Sequence, residues 1–270
     1  MLRKTLLILI FVMLNQSNFA YAATTGDEAS NDTNTNNTAN ECFEGVSRTM
    51  FKFNYALDGA VFQPVAKGYR SLPLGLRKGT SNVLSNLRSL LTLSNNVLQA
   101  DFSAAGNTAG RFVVNSTIGI LGVFDPAEKV FGLKKKGKED FGQTLGRWGS
   151  GTGCYFVLPF LGPTTARDAA GLVGNVFLDP IYTVTHNRET DFLIGNENYQ
   201  EHNYYFYRGM NSVDFRAKNI ESFESVEKNS IDLYASMKSL YLQDRNKKVK
   251  NSKAKIETQD DTNWDKIDND

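Results

Sequence analysis

Apolar side chains recur along most of this chain at three- and four-residue intervals. Val83, Leu84, Leu87, Leu90, Leu91, Val97 and Leu98 mark one face of a helix, softly interrupted at Ser94-Asn95-Asn96. Ala105, Thr108, Ala109, Phe112 and Val113 keep the spacing with small side chains, which lets two helices approach closely. Ile220, Phe223, Val226, Leu233, Met237, Leu240 and Tyr241 repeat it with charges interleaved. Long period-two alternation and internal repeats are both absent, so the pattern predicts an all-α protein.

Two segments are more apolar than their turn residues would lead one to expect. "NYALDGAVFQPVAKGYRSLPLGLR", residues 54–77, predicts repeated turning at Pro64, Gly68, Pro73 and Gly75 while carrying Leu57, Val61, Phe62, Val65, Tyr69, Leu72, Leu74 and Leu76. "YFVLPFLGP", residues 155–163, has an apolar run broken by Pro159 and too short to span a bilayer. It fits either a buried helix–turn or an element lying in a membrane interface.

The ends differ in character. Residues 1–22 read as a signal peptide: Arg3 and Lys4, an uncharged Leu6–Leu14 core, and an Ala20-Tyr21-Ala22 cleavage site. This predicts export and a mature start near Ala23. Residues 23–40 are Asn/Thr-rich with no large apolar side chain, as expected for a disordered spacer. Residues 41–245 form the expected helical domain, and 246–270 a charged, disordered tail. Loss of Arg3 and Lys4 takes the formal net charge from +1 to −1, which offers nucleic acid no global attraction.

Candidate chemistry was tested against the glycine-rich stretch "FGQTLGRWGSGTGCYFVLPFLGPTTARD", residues 141–168. Gly149, Gly151 and Gly153 alternate, no Gly-Lys-Ser/Thr follows, and no buried strand precedes them, so a phosphate loop is excluded. Ser150 lacks the flanking spacing of a nucleophile elbow, with Trp148 and Thr152 where glycines belong. His186 and His202 stand 16 residues apart without a zinc pattern. Asp125, Asp140, Asp168 and Asp179 each lie near Gly or Pro, where caps and Asx-turns place aspartate. "KKKGK", residues 134–138, is a basic loop, either simply solvated or facing anionic lipid or an acidic partner. An enzyme is therefore not expected, nor a metal or other cofactor. Cys42 and Cys154, 112 residues apart, carry no pairing information in their spacing, and "ANEC" is no lipobox, so a lipid anchor is not expected.

The ordered series "SRTMFKFNYALD" (47–58), "QPVAKGYRSLP" (63–73), "SNVLSNL" (81–87), "NNVLQAD" (95–101), "GRFVVNSTIGILGVFDPA" (110–127), "EDFGQTLGRWGSGTGCYFVLPFLGPTTARDAAG" (139–171) and "SIDLYASMKSLYLQDR" (230–245) closely resembles the MlaA, or VacJ-like, family. The resemblance implies a ring of turn-interrupted amphipathic helices in the inner leaflet of the Gram-negative outer membrane, around an amphipathic channel. It implies a protein that takes mislocalised phospholipid from the outer leaflet and passes it to a soluble periplasmic carrier, beside a trimeric porin. A structural or adhesion protein that binds lipid or porin without transport is the alternative.

By the same resemblance, Asp125, Asp140, Gln143, Thr144, Trp148, Arg167 and Asp168 belong to the lipid path or to the signature structure, with Arg167–Asp168 an ion pair or head-group contact. Gly142, Gly146, Gly149 and Gly162, with Pro163, are expected to serve turns or close packing. Two departures stand out: relatives are commonly lipidated at the mature N-terminus, and they carry proline where this chain has Cys42 and Cys154. The paired replacement implies a Cys42–Cys154 disulfide.

Overall fold

The computed structural model describes residues 41–186 and 200–250. The signal, the spacer and the tail beyond 250 lie outside the described residues. Helices α1 (Glu44–Leu57) and α2 (Gln63–Arg70) are joined by a π-helical stretch, Asp58–Phe62. Then follow α3 (Leu74–Leu98), α4 (Phe102–Thr117), the single turn α5 (Pro126–Lys129) and α6 (Phe141–Arg147). An antiparallel hairpin, β1 (Tyr155–Leu158) and β2 (Gly162–Thr165), precedes α7 (Ala166–Leu178) and α8 (Pro180–His186). The chain closes with α9 (Gln200–Lys218), α10 (Ile220–Asn229) and α11 (Leu233–Val249).

The protein is mostly helical, as the periodicity predicts, but local expectations shift. Residues 54–77 do not turn repeatedly. The backbone stays helical through the wider π turn, which leads directly into α2 with Pro64 in its first turn, and turns only at Ser71–Pro73. The 155–163 run is not a buried helix–turn but a hairpin, with Phe160 and Leu161 exposed at its tip. Tyr155 pairs with Thr165 and Leu158 with Gly162, and the strand alternates buried Tyr155 and Val157 with half-buried Phe156 and Leu158. Residues 220–241 are two helices, divided where Asp232 caps α11 through the Ala235 N–H. That last helix runs to Val249, past the Arg245 boundary.

The hairpin is fastened to α1 at both ends. At its base Cys42 and Cys154 form a disulfide, Cα atoms 5.6 Å apart. At its tip Asn54 donates to the Leu158 carbonyl and accepts from Phe160 N–H, both at 2.8 Å, while Phe53 meets the Phe160 ring edge-on. Beneath it Tyr155, Val157 and Tyr234 pack with Met50, Phe51, Tyr241 and Leu242.

Beside its apolar clusters the molecule buries many polar side chains and exposes many large apolar ones, unlike a water-soluble helical protein. In α3 the helix continues unbroken through Ser94-Asn95-Asn96, and its polar side chains face inward. Asn86, Thr92, Asn95, Asn96 and the C-cap Gln99 are buried alongside Leu84 and Leu91, whereas Val97 and Leu98 are exposed. Large apolar side chains stand outside across several elements: Phe102 is 70% exposed, Leu121 74%, Phe160 70% and Phe177 72%.

Candidate functional site

Arg245, near the end of α11, is the hub of the buried polar interior. Its guanidinium grips both oxygens of Asp140 (2.6 and 3.0 Å) and both of Asp168 (2.9 and 2.8 Å), tying the starts of α6 and α7 to the last helix. Arg167 Nε adds a bond to Asp168 at 3.0 Å, and the Tyr241 hydroxyl donates to it at 2.7 Å. Burial alone would raise both carboxyls, but hydrogen bonds and charge from Arg245 outweigh it and hold each below the usual range. The approach needs bare backbone. A Cβ on Gly171 would lie 2.5 Å from the Gly142 Cα, and one on Gly142 would meet Arg245 and Asp168 at 2.8 Å.

Around this hub lies a second polar layer. Thr144 donates to Asn95 (2.8 Å) and accepts from Gln99 (3.2 Å), which also donates to Glu139 (2.9 Å). Burial pushes the Glu139 carboxyl up to about 7, with the neighbouring Asp140 charge adding to it and the Gln99 bond opposing. A separate cluster forms at Asp125, which caps α5 and receives Arg111 (2.6 Å), Asn115 (2.9 Å) and Lys135 (3.6 Å).

Against one side of the interior opens a cavity of about 870 Å³, at the upper end of the roughly 300–1,000 Å³ typical of ligand sites. Phe51, Phe62, Phe160, Leu161, Phe215 and Met237 give it apolar walls, drawn from α1, the π turn, the hairpin, α9 and α11. Its ionisable lining is Arg88, Lys138, Arg208, Arg216 and Lys248 with Asp58, Asp140, Glu224 and Glu227. Nearly all of these charges are answered. Arg216 bonds Asp58 through two nitrogens, Asp140 holds Arg245, Lys248 pairs with Asp244 at 2.7 Å, Glu224 faces Lys67 at 3.6 Å, and Glu227 accepts from the Tyr55 hydroxyl.

Of the residues expected from the sequence, Asp140, Gln143, Gly162 and Pro163 line the cavity; Asp125, Thr144, Trp148, Arg167 and Asp168 do not. Arg167 and Asp168 are both buried and form the ion pair rather than a head-group contact. Trp148 is exposed, donates to the Leu98 carbonyl at 3.1 Å and closes α6. Gly142 and Gly146 are not turns: both are helical, in α6, at close contacts. Gly149 and Gly162 have positive φ (93° and 82°), where glycine is favoured, and Pro163 lies in β2. Asp125, Asp140 and Asp179 cap helices, as expected of aspartates beside Gly or Pro, while Asp168 lies in the first turn of α7 behind the Thr165 cap. His202 is exposed, and the His186 side chain lies outside the described residues.

Arg245, Glu139, Arg88, Arg208 and the polar stripe of α3 were not foreseen. For α3 the signal was visible: Asn86, Thr92, Asn95, Asn96 and Gln99 recur at helical spacing within a leucine-rich segment. Among the described residues no cluster of His, Cys, Asp or Glu is arranged to hold a metal ion, and no helix is long and apolar enough to cross a membrane.

Residues 39–248 match the family model described as MlaA lipoprotein. The chain belongs to the MlaA lipoprotein family. An uncharacterized protein of Rickettsia prowazekii is 37% identical over 147 residues, 54% of this chain and 58% of that relative, so the match spans little more than half of the relative's length. The intermembrane phospholipid transport system lipoprotein MlaA of Haemophilus influenzae is 29% identical over 234 residues, 86% of this chain and 88% of that protein. A solved structure from work on the structural basis for maintenance of bacterial outer membrane lipid asymmetry superposes with a TM-score of 0.61 at 29% identity. It covers 77% of this chain and 98% of its own. The mostly helical fold described above is thus shared with that structure.

Proposed function

We propose that this chain is a non-enzymatic phospholipid transport protein of the Gram-negative outer membrane. In this reading it lies in the inner leaflet as a ring of amphipathic helices, accepts mislocalised phospholipid from the outer leaflet, and delivers it to a soluble periplasmic carrier, beside a trimeric porin.

One observation carries the reading: the molecule buries polar side chains and exposes phenyl and aliphatic ones. Asn95 and Thr144 are fully buried, whereas Ile118, Ile120, Leu121 and Phe124 stand out together from one turn. In water such a surface is a liability, and in hydrocarbon it is the expected one. A phospholipid head group also needs a route that avoids bare hydrocarbon, where an unpaired charge is costly. An amphipathic cavity beside a buried polar interior supplies the two environments that such a molecule requires, and no bond has to be made or broken. The Haemophilus influenzae relative, described as a lipoprotein of an intermembrane phospholipid transport system, supports the same reading.

Deleting the gene in its own host and labelling the cell surface for phospholipid tests it. Outer-leaflet phospholipid should rise and return to normal when the full chain is restored. Unchanged surface phospholipid would leave only lipid or porin binding, and the transport reading would be abandoned.

A further inference from the structure

Two of the cavity's charges go unanswered. Arg88, on α3, and Arg208, on α9, line it from different helices, and neither guanidinium has a hydrogen bond or ion pair among the described residues. The Nε of Arg88 is shut away from solvent with no acceptor at all. The two act on the same neighbours, since the charge of each reaches both the Asp179 carboxyl and the Tyr207 hydroxyl. Asp179 does not answer either: it comes within no ion-pair distance of a guanidinium, and one of its oxygens accepts the Ile181 N–H at 3.0 Å.

Arg88 keeps its Nε from solvent without an acceptor and shares the cavity with the like charge of exposed Arg208, a cost that a bound anion would offset. Guanidinium forks match the oxygens of a phosphate, and forks from two different helices can hold one phosphate between them. The remaining walls of the same cavity carry Phe51, Phe62, Phe160 and Leu161, surfaces suited to acyl chains. We propose that Arg88 and Arg208 form a phosphate site that holds the head-group phosphate of a glycerophospholipid, with its acyl chains against these apolar walls. The inference rests on the transport reading and narrows its substrate class. Any lipid with a phosphodiester is accepted whatever its alcohol, and diacylglycerol is refused.

The test uses the full chain purified in detergent and mixed with vesicles of phosphatidylethanolamine, phosphatidylglycerol, or phosphatidylcholine doped with diacylglycerol, with retained lipid counted after repurification. The wild type should retain all three phospholipids and leave diacylglycerol behind. The double variant R88Q/R208Q should retain about tenfold less phospholipid, the loss expected for charge-assisted bonds of about 1.5 kcal/mol or more. R88K/R208K should recover part of it. Arg208 is exposed, so R208Q alone keeps the test valid if R88Q disturbs α3, and it too should lower retention with an unchanged melting temperature.

Equal retention by wild type and R208Q overturns the phosphate site while leaving the transport reading standing. Retention of no lipid class by the wild type overturns the transport reading itself. Inorganic phosphate supplies the remaining arm. If it binds the wild type, seen by phosphorus NMR, while phospholipid is not retained, the site takes a free anion and the head-group assignment fails.

Discussion

Arg245 holds two carboxylates that arrive from different parts of the chain, and the arrangement makes its removal more costly than the loss of any single bond. Without the guanidinium, Asp140 and Asp168 face each other across a buried space with only Arg167, Tyr241 and Gln143 to answer them. Arg245→Ala should therefore destabilise by about 3–5 kcal/mol, read as a fall in denaturant midpoint in detergent. Asp140 and Asp168, held low, contribute stability that is present above the ordinary carboxylate range and lost as pH falls through it. Glu139 has the opposite sign. Raised by burial to about 7, it binds its proton more tightly when folded, so stability falls as pH climbs from about 4.5 towards 7 and stays lower above. Glu139→Gln should flatten the decline in melting temperature between pH 5 and 8 and leave the acid limb intact. An unchanged decline would mean that Glu139 is ionised in the fold at no cost. At this scale the sequence was legible where chemistry is local: aspartates before Gly or Pro became caps. It was silent on Arg245 because its two partners lie 77 and 105 residues away, a separation that no periodicity records.

Among the elements, the crossing of α6 and α7 is the most sensitive to volume. Gly142 and Gly171 bring the two backbones into contact, and Gly174 leaves room for the Phe141 ring. Gly171→Ala places a methyl against the Gly142 backbone and should cost about 1–3 kcal/mol. Gly75→Ala, in the open first turn of α3, should cost nothing measurable, because an added Cβ there meets no atom within 4 Å. Equal melting temperatures for the two variants would refute close packing as the role of Gly171. Helical periodicity located the long elements well, since amphipathic spacing survives whichever face is buried. It did not tell how much else that face carries: in α3 Leu84 and Leu91 are buried as the apolar stripe suggests, but asparagines share the interior with them, and Val97 and Leu98 are exposed. The hairpin escaped notice because four-residue strands are too short for alternation to declare itself, and because Pro159 and Gly162 read equally well as a break between helices.

For the folded domain as a whole, residues 41–186 and 200–250, the polar interior and the exposed phenyl and aliphatic side chains are what the proposed membrane setting requires. Composition alone did not disclose this, since a mean hydropathy of −0.36 is what a soluble protein shows; the information lies in which side of each helix carries which residue. One covalent feature has reach on the same scale. The Cys42–Cys154 bond closes a loop of 112 residues that takes in α1 through α6, and within it Lys134, Lys136 and Lys138 stand exposed to trypsin. A cut there parts the chain without parting the protein. Limited trypsin digestion should give a species that migrates at full length on a non-reducing gel and separates into two pieces only with reductant, whereas two pieces without reductant would mean that the bond is absent. In the extracytoplasmic setting proposed for the chain, such a loop turns a broken backbone from a loss of the molecule into a nick that it can survive.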